Sequence, residues 1–461
     1  MKEKKKNIKS WIIAVGCCVL LVTIVWLWLV RFEGQKPTLK PDLRSPYIGR
    51  SHSIAIHASD VKSGLRRLWI AVLKDGKEVV LHDEVYPSAG FLKSGKRRET
   101  SVNLQIEPDK LGFEDGEAVL RMAVWDHSWR SWWKGNKTYL ENKVTIDTRS
   151  PEIEIISRAH NLSQGGAGLV IFRTSEICKK SGVYLGDNFF PGHAGYYSDP
   201  NIFLAFIALK YTQGPKTKIS VEAVDRAGNS TKVGIPNYIR RKVFRRDTIN
   251  VSDGFLNRKL PEFSSEIPQD ANLSAVDKFL VINRDLRKKD YQSVMESCNS
   301  SDAKIHWKGG FLRLPKSATR ARFADHRTYT YKGREIDRQV HLGIDLASLT
   351  NSPVPAANGG IVVFADNIGI YGRTVILDHG LGLFSMYSHL SHIAVKPGDR
   401  LSKGQTIGRT GSTGLAGGDH LHFGMIVHNT FVNPVEWWDK NWIKNNVLSK
   451  IEQVETPRSQ D

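Results

Sequence analysis

The chain has 461 residues, of which 40% are hydrophobic, 9% aromatic and 25% charged. This mixture excludes a disordered chain, a collagen and a multi-span membrane protein, and the length suits about three domains of roughly 100–200 residues. Lys and Arg total 66 against 47 Asp and Glu, a formal net charge of +19. So basic a protein favours anionic surfaces such as nucleic acid, acidic lipid or a cell-wall polymer.

The first thirty residues predict a membrane anchor. Residues 11–30 carry no charge, and as a helix they are about 30 Å long, the hydrocarbon thickness of a bilayer. No small-residue cleavage pattern follows, so we expect an uncleaved transmembrane helix rather than a signal peptide. The preceding segment carries Lys2, Lys4, Lys5, Lys6 and Lys9. This excess predicts a single-pass protein of the cell membrane, with residues 1–10 as a cytoplasmic tail and the body on the periplasmic or extracellular side.

Two β-rich modules are predicted next, over residues 45–148 and 149–236. Hydrophobicity alternates so that Ile54, Ile56 and Ala58 share one face of a strand. The sequence AVWD at 123–126 recurs as AVD at 223–225, one hundred residues later. The turns DVKSG at 60–64 and VDRAGN at 224–229 resemble those of bacterial immunoglobulin-like domains, which implies two β-sandwiches.

The role of these modules stays open between spacers and binding domains for the cell wall or a partner. A cluster of tryptophans in the first module fits either a binding patch or ordinary core packing. Its members are Trp125, Trp129, Trp132 and Trp133.

Residues 237–300 are predicted to be a basic linker and a helix. The run RRKVFRR at 240–246 suits nucleic acid, but an exported protein meets little of it, so we expect a solvated linker and no nucleic-acid partner. Residues 272–290 predict a helix capped by Asn272 that packs on the following domain. Outside the apolar span only Cys178 and Cys298 remain, and the sequence leaves open whether they are oxidised to a disulfide.

Three short motifs carry the chemistry: HLGID at 341–345, YSHLS at 387–391 and GDHLHF at 418–423. On a strand, His420 and His422 project to the same face. His341 and Asp345 would lie about 13 Å apart on a straight strand, so we expect the chain to curve there, with Gly343 permitting the bend.

Nitrogen and oxygen ligands without cysteine suit Zn²⁺, and a catalytic zinc keeps three protein ligands and an open position. The motifs offer five candidate groups, two more than the metal needs. Surplus imidazoles are what a hydrolase uses for proton transfer and for stabilising an oxyanion.

The segment from Arg338 to about Trp438 resembles the LytM/lysostaphin-type zinc metallopeptidases, which cleave peptide bonds in peptidoglycan. The resemblance includes PVPAANGG at 353–360, VKPGD at 395–399 and GQTIG at 404–408. It implies a small antiparallel β-sheet peptidase domain, predicted over residues 301–445, with residues 446–461 as a tail. Gly424 stands where the family commonly has Glu, and Asp419 where it commonly has Pro; neither departure removes a ligand or a base.

The resemblance also implies roles for individual residues. His341, Asp345 and His422 would bind one Zn²⁺, and His389 and His420 would be the catalytic histidines. Which of the two histidines is the base stays open.

The chain is therefore predicted to be mainly β, with one transmembrane helix, two immunoglobulin-like modules and a zinc peptidase domain. The favoured function is a membrane-anchored zinc endopeptidase that cuts peptidoglycan stem peptides or cross-bridges during cell-wall remodelling. The alternatives are a non-catalytic scaffold or activator of other wall hydrolases, and a structural envelope protein. The sequence does not fix the bond cleaved, the type of envelope or the oligomeric state.

Overall fold

The computed structural model describes residues 8–90, 95–268 and 272–455. Lys2, Lys4, Lys5 and Lys6 of the predicted cytoplasmic tail, and residues 456–461 of the predicted C-terminal tail, lie outside the described residues. The chain forms two compact units. One contains the described residues up to 150 together with 224–230, and the other contains 151–223 and the described residues from 231 onward.

The first unit begins with helix α1, Ile8–Arg31, as the uncharged run predicts. In its stretch Ser10–Leu29 no residue is buried, and the stretch is long and apolar enough to cross a membrane. The body that follows is a pair of sheets with strand orders β1-β3-β6 and β2-β8-β7-β4-β5. The elements are β1 (Thr38–Asp42), β2 (Tyr47–Ile48), β3 (His52–Ser59), β4 (Leu65–Lys74), β5 (Lys77–Val85), β6 (Glu99–Ile106), α2 (Pro108–Leu111), β7 (Gly116–Asp126), α3 (Arg130–Trp133) and β8 (Lys137–Ile146).

The two sheets of this unit share one apolar core. Ile54, Ile56 and Ala58 on β3 are 1%, 0% and 2% exposed, which confirms the predicted alternation. The hairpin between β4 and β5 turns at Asp75 and Gly76, which both have positive φ (49° and 77°). Such a two-residue turn matches the twist of its strands, and Gly adopts that conformation without steric cost.

The second unit starts with a further set of strands, arranged as sheets β14-β11-β9 and β13-β12-β15-β16 and a parallel pair β10-β17. The strands are β9 (Ile153–Ile155), β10 (His160–Ser163), β11 (Ala167–Thr174), β12 (Lys180–Leu185), β13 (Asn188–Pro191), β14 (Ile202–Ala208), β15 (Ile219–Val224), β16 (Ser230–Gly234) and β17 (Asn237–Arg240). Within the described residues no disulfide joins Cys178 to Cys298, which is buried.

A strand and a group of helices follow: β18 (Arg246–Asn250), α4 (Asp253–Lys259), a 3-10 turn (Leu260–Phe263), α5 (Ala275–Leu280), a π-helical turn (Val281–Leu286) and α6 (Arg287–Ser297). The helix predicted over 272–290 exists, but its cap is Ser274 rather than Asn272. Ser274 Oγ accepts from the backbone N–H of Asp277, whose carboxylate accepts from Ser274. This reciprocal capping box satisfies two backbone donors, which a cap at Asn272 would leave open.

The C-terminal part is built on an eight-stranded sheet with the order β19-β22-β30-β26-β25-β24-β28, in which β31 pairs with β30. Smaller sheets β18-β20-β21 and β23-β29-β27 flank it. The strands are β19 (Ala318–Ala321), β20 (His326–Tyr331), β21 (Arg334–Val340), β22 (Ile344–Ala347), β23 (Pro353–Pro355), β24 (Gly360–Ile368), β25 (Gly372–Gly380), β26 (Leu383–Leu390), β27 (His392–Ile393), β28 (Arg400–Leu401), β29 (Thr406–Arg409), β30 (Leu421–Val427) and β31 (Thr430–Val432). A 3-10 turn (Gly369–Tyr371) precedes β25, and the chain ends in α7 (Pro434–Trp438), α8 (Lys440–Ile443), a π turn (Lys444–Leu448) and α9 (Ser449–Glu455).

Candidate active site

Adjacent strands at the centre of the large sheet bring the predicted site residues together. β22 pairs antiparallel with β30 so that Asp345 lies directly opposite His422. On the other side of β30, β26 places Ser388 opposite His422, so His389 follows immediately. Directly opposite residues have Cβ atoms about 4.5–5.5 Å apart, which is close enough for their side chains to share one ligand.

Three side chains converge on one point. His341 Nε2 and His422 Nδ1 are 2.9 Å apart, and they lie 2.9 and 3.0 Å from Asp345 Oδ1. All three residues are buried. His341 Nδ1 donates to the carbonyl of Arg322, so its Nε2 carries a lone pair that faces the cluster.

Gly343 supports this cluster in a different way from the one predicted. Its φ is not in the left-handed region. The chain changes direction between the end of β21 at Val340 and the start of β22 at Ile344. A Cβ at position 343 would lie 2.5 Å from both Cε1 and Nε2 of His422. The glycine therefore provides space for the His422 ring against the backbone.

The other two predicted histidines face the same cavity. The ring of His389 is 4.8 Å from that of His420 and 5.8 Å from that of His422, centroid to centroid. His389 Nδ1 donates to the carbonyl of Thr413, and His420 Nδ1 donates to that of Gly418. His389 has φ of 62°, a conformation that costs about 1–3 kcal/mol for a non-glycine residue and that recurs at active sites.

The two histidines differ in their electrostatic surroundings. Burial, with His420 and His422 nearby, holds the pKa of His389 well below its ordinary value. Burial also opposes protonation of His420, but the Asp345 carboxylate, 3.6 Å from its Nε2, raises the pKa of His420. For Asp345 itself, burial would raise the pKa, but the neighbouring imidazoles, His341 first, hold it well below the usual range.

The donor set fits a zinc ion. Two imidazole nitrogens and one carboxylate oxygen lie within 3.0 Å of one another, and no thiol is among them. Lone pairs that close together repel unless a proton or a cation lies between them, and zinc accepts this mixture of donors. His341, Asp345 and His422 are the residues that would hold it.

Sequence reasoning missed Arg327, on β20. Its Nη2 donates to Asp345 Oδ2 at 2.9 Å, leaving Oδ1 to the cluster. Burial would lower the pKa of Arg327, but Asp345 raises it, so the side chain stays cationic. Arg327 lies outside the three motifs, and no spacing in the sequence links it to Asp345.

The site opens into a cavity of about 350 Å³. Its far wall comes from the segment that precedes the motifs, as Phe279 of α5 packs on Tyr329 of β20 with ring centroids 5.7 Å apart. This confirms that the predicted helix packs on the following domain. Besides the site residues, the lining includes Ile249, Val251, Phe255, Phe279, Arg287, Arg327, Tyr329, Ile370, Tyr371 and Leu415.

Comparison with known proteins places one known domain in the chain. Residues 339–434 match the sequence profile described as Peptidase family M23. A stretch of 96 residues is 40% identical to the peptidoglycan DD-endopeptidase ShyA of Vibrio cholerae, covering 21% of this chain and 22% of that protein. A stretch of 97 residues is 37% identical to the DD-carboxypeptidase/endopeptidase Mpg of Neisseria meningitidis, with the same coverage.

Among solved structures, the catalytic domain of lysostaphin from Staphylococcus simulans is 28% identical, with a TM-score of 0.25. That alignment covers 28% of this chain and 98% of the lysostaphin domain. The similarity to ShyA and Mpg spans only about a fifth of the length of each.

Proposed function

Since residues 339–434 form a peptidase family M23 domain, we propose that the protein is a zinc metalloendopeptidase that hydrolyses peptide bonds in peptidoglycan. The observation that carries the proposal is the convergence of His341, Asp345 and His422 beside two further histidines in one cavity. The name of the Vibrio cholerae relative supports this substrate, and the net charge of +19 suits an anionic wall polymer.

Zinc held by His341, Asp345 and His422 would supply Lewis-acid polarisation of a peptide carbonyl and would lower the pKa of a water molecule. His389 is suited to be the general base, because its Nδ1–H is bound to Thr413 and its Nε2 keeps a lone pair. The lowered pKa of His389 keeps that imidazole neutral and able to take a proton.

His420 is suited to the complementary role. Its Nδ1–H is bound to Gly418, and its Nε2 lies in the cavity 3.6 Å from Asp345 Oδ1, where a protonated ring would present an N–H donor. A positioned donor of this kind stabilises a developing oxyanion, a contribution of about 3–4 kcal/mol in other hydrolases. Arg327 holds Oδ2 of Asp345 and so fixes the orientation of that carboxylate.

The test uses the full chain with cross-linked peptidoglycan, with and without a chelator and added zinc, and identifies the released fragments by mass. We expect cleavage that the chelator abolishes, and the fragment masses will name the bond. His389→Ala should lower turnover by about 10²–10⁴-fold while zinc is retained. His392→Ala is the matched control, since His392 is exposed and only three residues away.

A non-catalytic scaffold that activates other wall hydrolases is the second candidate. The observation behind it is that Phe255 and Phe279, which precede the family domain, form an apolar wall of the cavity beside the histidines. Intact peptidoglycan in the presence of the zinc-loaded chain would support the scaffold and contradict the peptidase.

We further propose that α1 anchors the protein in the cell membrane, with the N-terminus in the cytoplasm and the body outside. The predominantly apolar 20-residue stretch Ser10–Leu29 supports this, as does the lysine-rich segment before it. Retention of the full chain in the membrane pellet after carbonate extraction is expected. Release of a shortened chain would instead indicate a cleaved signal sequence.

A further inference from the structure

One loop of the first unit is fixed to the chain where it leaves α1. We call this loop, residues 127–136 between β7 and β8, the tryptophan loop. The loop donates hydrogen bonds to the backbone carbonyl oxygens of the residues just after the apolar stretch. The Arg31 carbonyl accepts from the backbone N–H of Trp129 (2.7 Å) and from Ser128 Oγ (3.3 Å), and the Phe32 carbonyl accepts from Arg130 Nε (3.1 Å). The Glu33 carbonyl accepts from Ser128 Oγ (3.2 Å) and from Asn136 Nδ2 (3.2 Å), which also donates to the Gln35 carbonyl (3.2 Å). These bonds fix the position of the loop relative to the end of the helix.

The bonds also fix the depth of the loop. The apolar stretch ends at Leu29, and the Arg31 carbonyl is two residues, or about 3 Å of helix, beyond it. Aromatic contacts continue across the junction, since Phe32 lies 6.3 Å from Trp28 and 5.9 Å from Trp129 between ring centroids. If α1 spans a bilayer, the tryptophan loop is therefore at the level of the lipid headgroups.

The loop presents large aromatic side chains to solvent at this level. Trp132 is 91% exposed and Trp133 is 51% exposed. Ser131, Trp132 and Trp133 all have positive φ (52°, 52° and 70°), a costly conformation for three consecutive non-glycine residues. Core packing explains a buried tryptophan, but it does not explain an exposed tryptophan whose backbone adopts a strained conformation.

The charge of the loop is also one-sided. The loop contains Arg130 and Lys134 and no Asp or Glu, and Lys137 follows it as the first residue of β8. Tryptophan is enriched where one end of a side chain meets hydrocarbon and the other meets water, and basic residues beside it are attracted to anionic lipid.

We propose that the tryptophan loop is a second membrane contact, in which Trp132 and Trp133 enter the headgroup layer of the bilayer that α1 crosses. The proposal rests on the membrane anchoring proposed above, and it goes further by assigning the lipid interface as the partner of this surface. Together, the helix and the loop hold the first unit against the membrane at two points.

The experiment places one environment-sensitive NBD label on the loop. The full chain with its four cysteines replaced by alanine receives W132C and is reconstituted in phosphatidylcholine vesicles with and without phosphatidylglycerol. The matched control is E114C, at an exposed site just before β7. The 11 residues of β7 separate position 114 from the loop by about 35 Å. We expect nitroxide lipids labelled at the headgroup to quench the label at 132 at least twofold more than the label at 114.

The outcomes separate the loop from the anchor. Vesicle flotation of each variant reports whether the chain is bound to the bilayer at all, whichever contact holds it. If the chain floats with the vesicles and the labels at 132 and 114 are quenched equally, the loop proposal is wrong and the anchor stands. If the chain does not float, the anchor fails and the loop proposal fails with it.

A second measurement leaves the four native cysteines in place and follows tryptophan fluorescence. Brominated lipids should quench the intrinsic fluorescence of a W132S/W133S chain less than that of the natural chain, and equal quenching would overturn the proposal.

Discussion

At the scale of single residues, the cluster of His341, Asp345 and His422 depends on space as much as on donor atoms. His422 reaches Asp345 and His341 with Nδ1 while the far side of its ring rests against the backbone of Gly343. The same hypothetical Cβ that meets this ring would also lie 2.8 Å from the carbonyl oxygen of Phe423. A side chain at position 343 therefore has to move either a ligand or a central strand.

We predict that Gly343→Ala weakens zinc binding by about tenfold or more, because displaced ligand geometry typically costs metal affinity on this order. The measurement is zinc content after dialysis against graded concentrations of a chelator. Gly214→Ala is the control, since a Cβ at position 214 would meet nothing within 4 Å. Equal zinc retention by the two variants would show that the His422 ring does not need the space.

At the scale of elements, one wall of the cavity is supplied from outside the family domain. α4, α5 and β20 precede residue 339, yet Phe255, Phe279 and Arg327 line the cavity. The order of these elements depends on Ser274, whose capping box with Asp277 starts the helix that carries Phe279. Phe279 is buried against Phe255 and Tyr329, so the position of the helix and the shape of the cavity are coupled.

We predict that Ser274→Ala lowers the local stability of α5 by about 1 kcal/mol, the usual cost of losing an N-cap. Native-state hydrogen exchange of the amides in residues 275–280 should then be about fivefold faster, since RT ln 5 is about 1 kcal/mol. Ser293→Ala, within α6, removes a hydroxyl that only donates to Lys289 one turn earlier and should leave exchange in α5 unchanged. Unchanged exchange in Ser274→Ala would mean that packing of Phe279 alone sets the start of the helix.

At the scale of the whole molecule, local patterns predicted the elements but not how distant segments pack. The uncharged run of twenty residues predicted α1, and the alternation of hydrophobicity predicted the buried face of β3. The three motifs predicted five site residues, and all five line one cavity. The contact of Arg327 with Asp345 left no trace in spacing, because it is made across two strands of different sheets.

Within the second unit, the early strands and the C-terminal part also share one core, which sequence reasoning did not foresee. Trp437 packs on Phe206 with ring centroids 6.0 Å apart, and Lys450 donates to the carbonyl of Leu169. These partners are more than 200 residues apart in the chain, so no local periodicity encodes the contact.

Glu436 of α7, a half-buried residue next to Trp437, makes the stability of this unit depend on pH. Its Oε2 accepts from the backbone N–H of Ala167 at 2.9 Å, and burial raises the pKa of the carboxyl from about 4.5 to about 7. The folded state therefore binds the proton more tightly than the unfolded state does. The stabilising contribution is complete below about pH 4.5 and is lost progressively as the pH rises to about 7.

Glu436→Gln keeps an oxygen acceptor for Ala167 without the titration. Between pH 4.5 and 7 the free energy of unfolding of the natural chain should therefore fall by about 3 kcal/mol relative to that of the variant. Denaturant unfolding of the full chain at both pH values, monitored by fluorescence of the tryptophans around Trp437, measures the difference. Glu296→Gln, at an exposed helical position, should follow the natural chain. If Glu436→Gln follows it as well, folding does not raise the pKa of the Glu436 carboxyl, and the shared core does not depend on its proton.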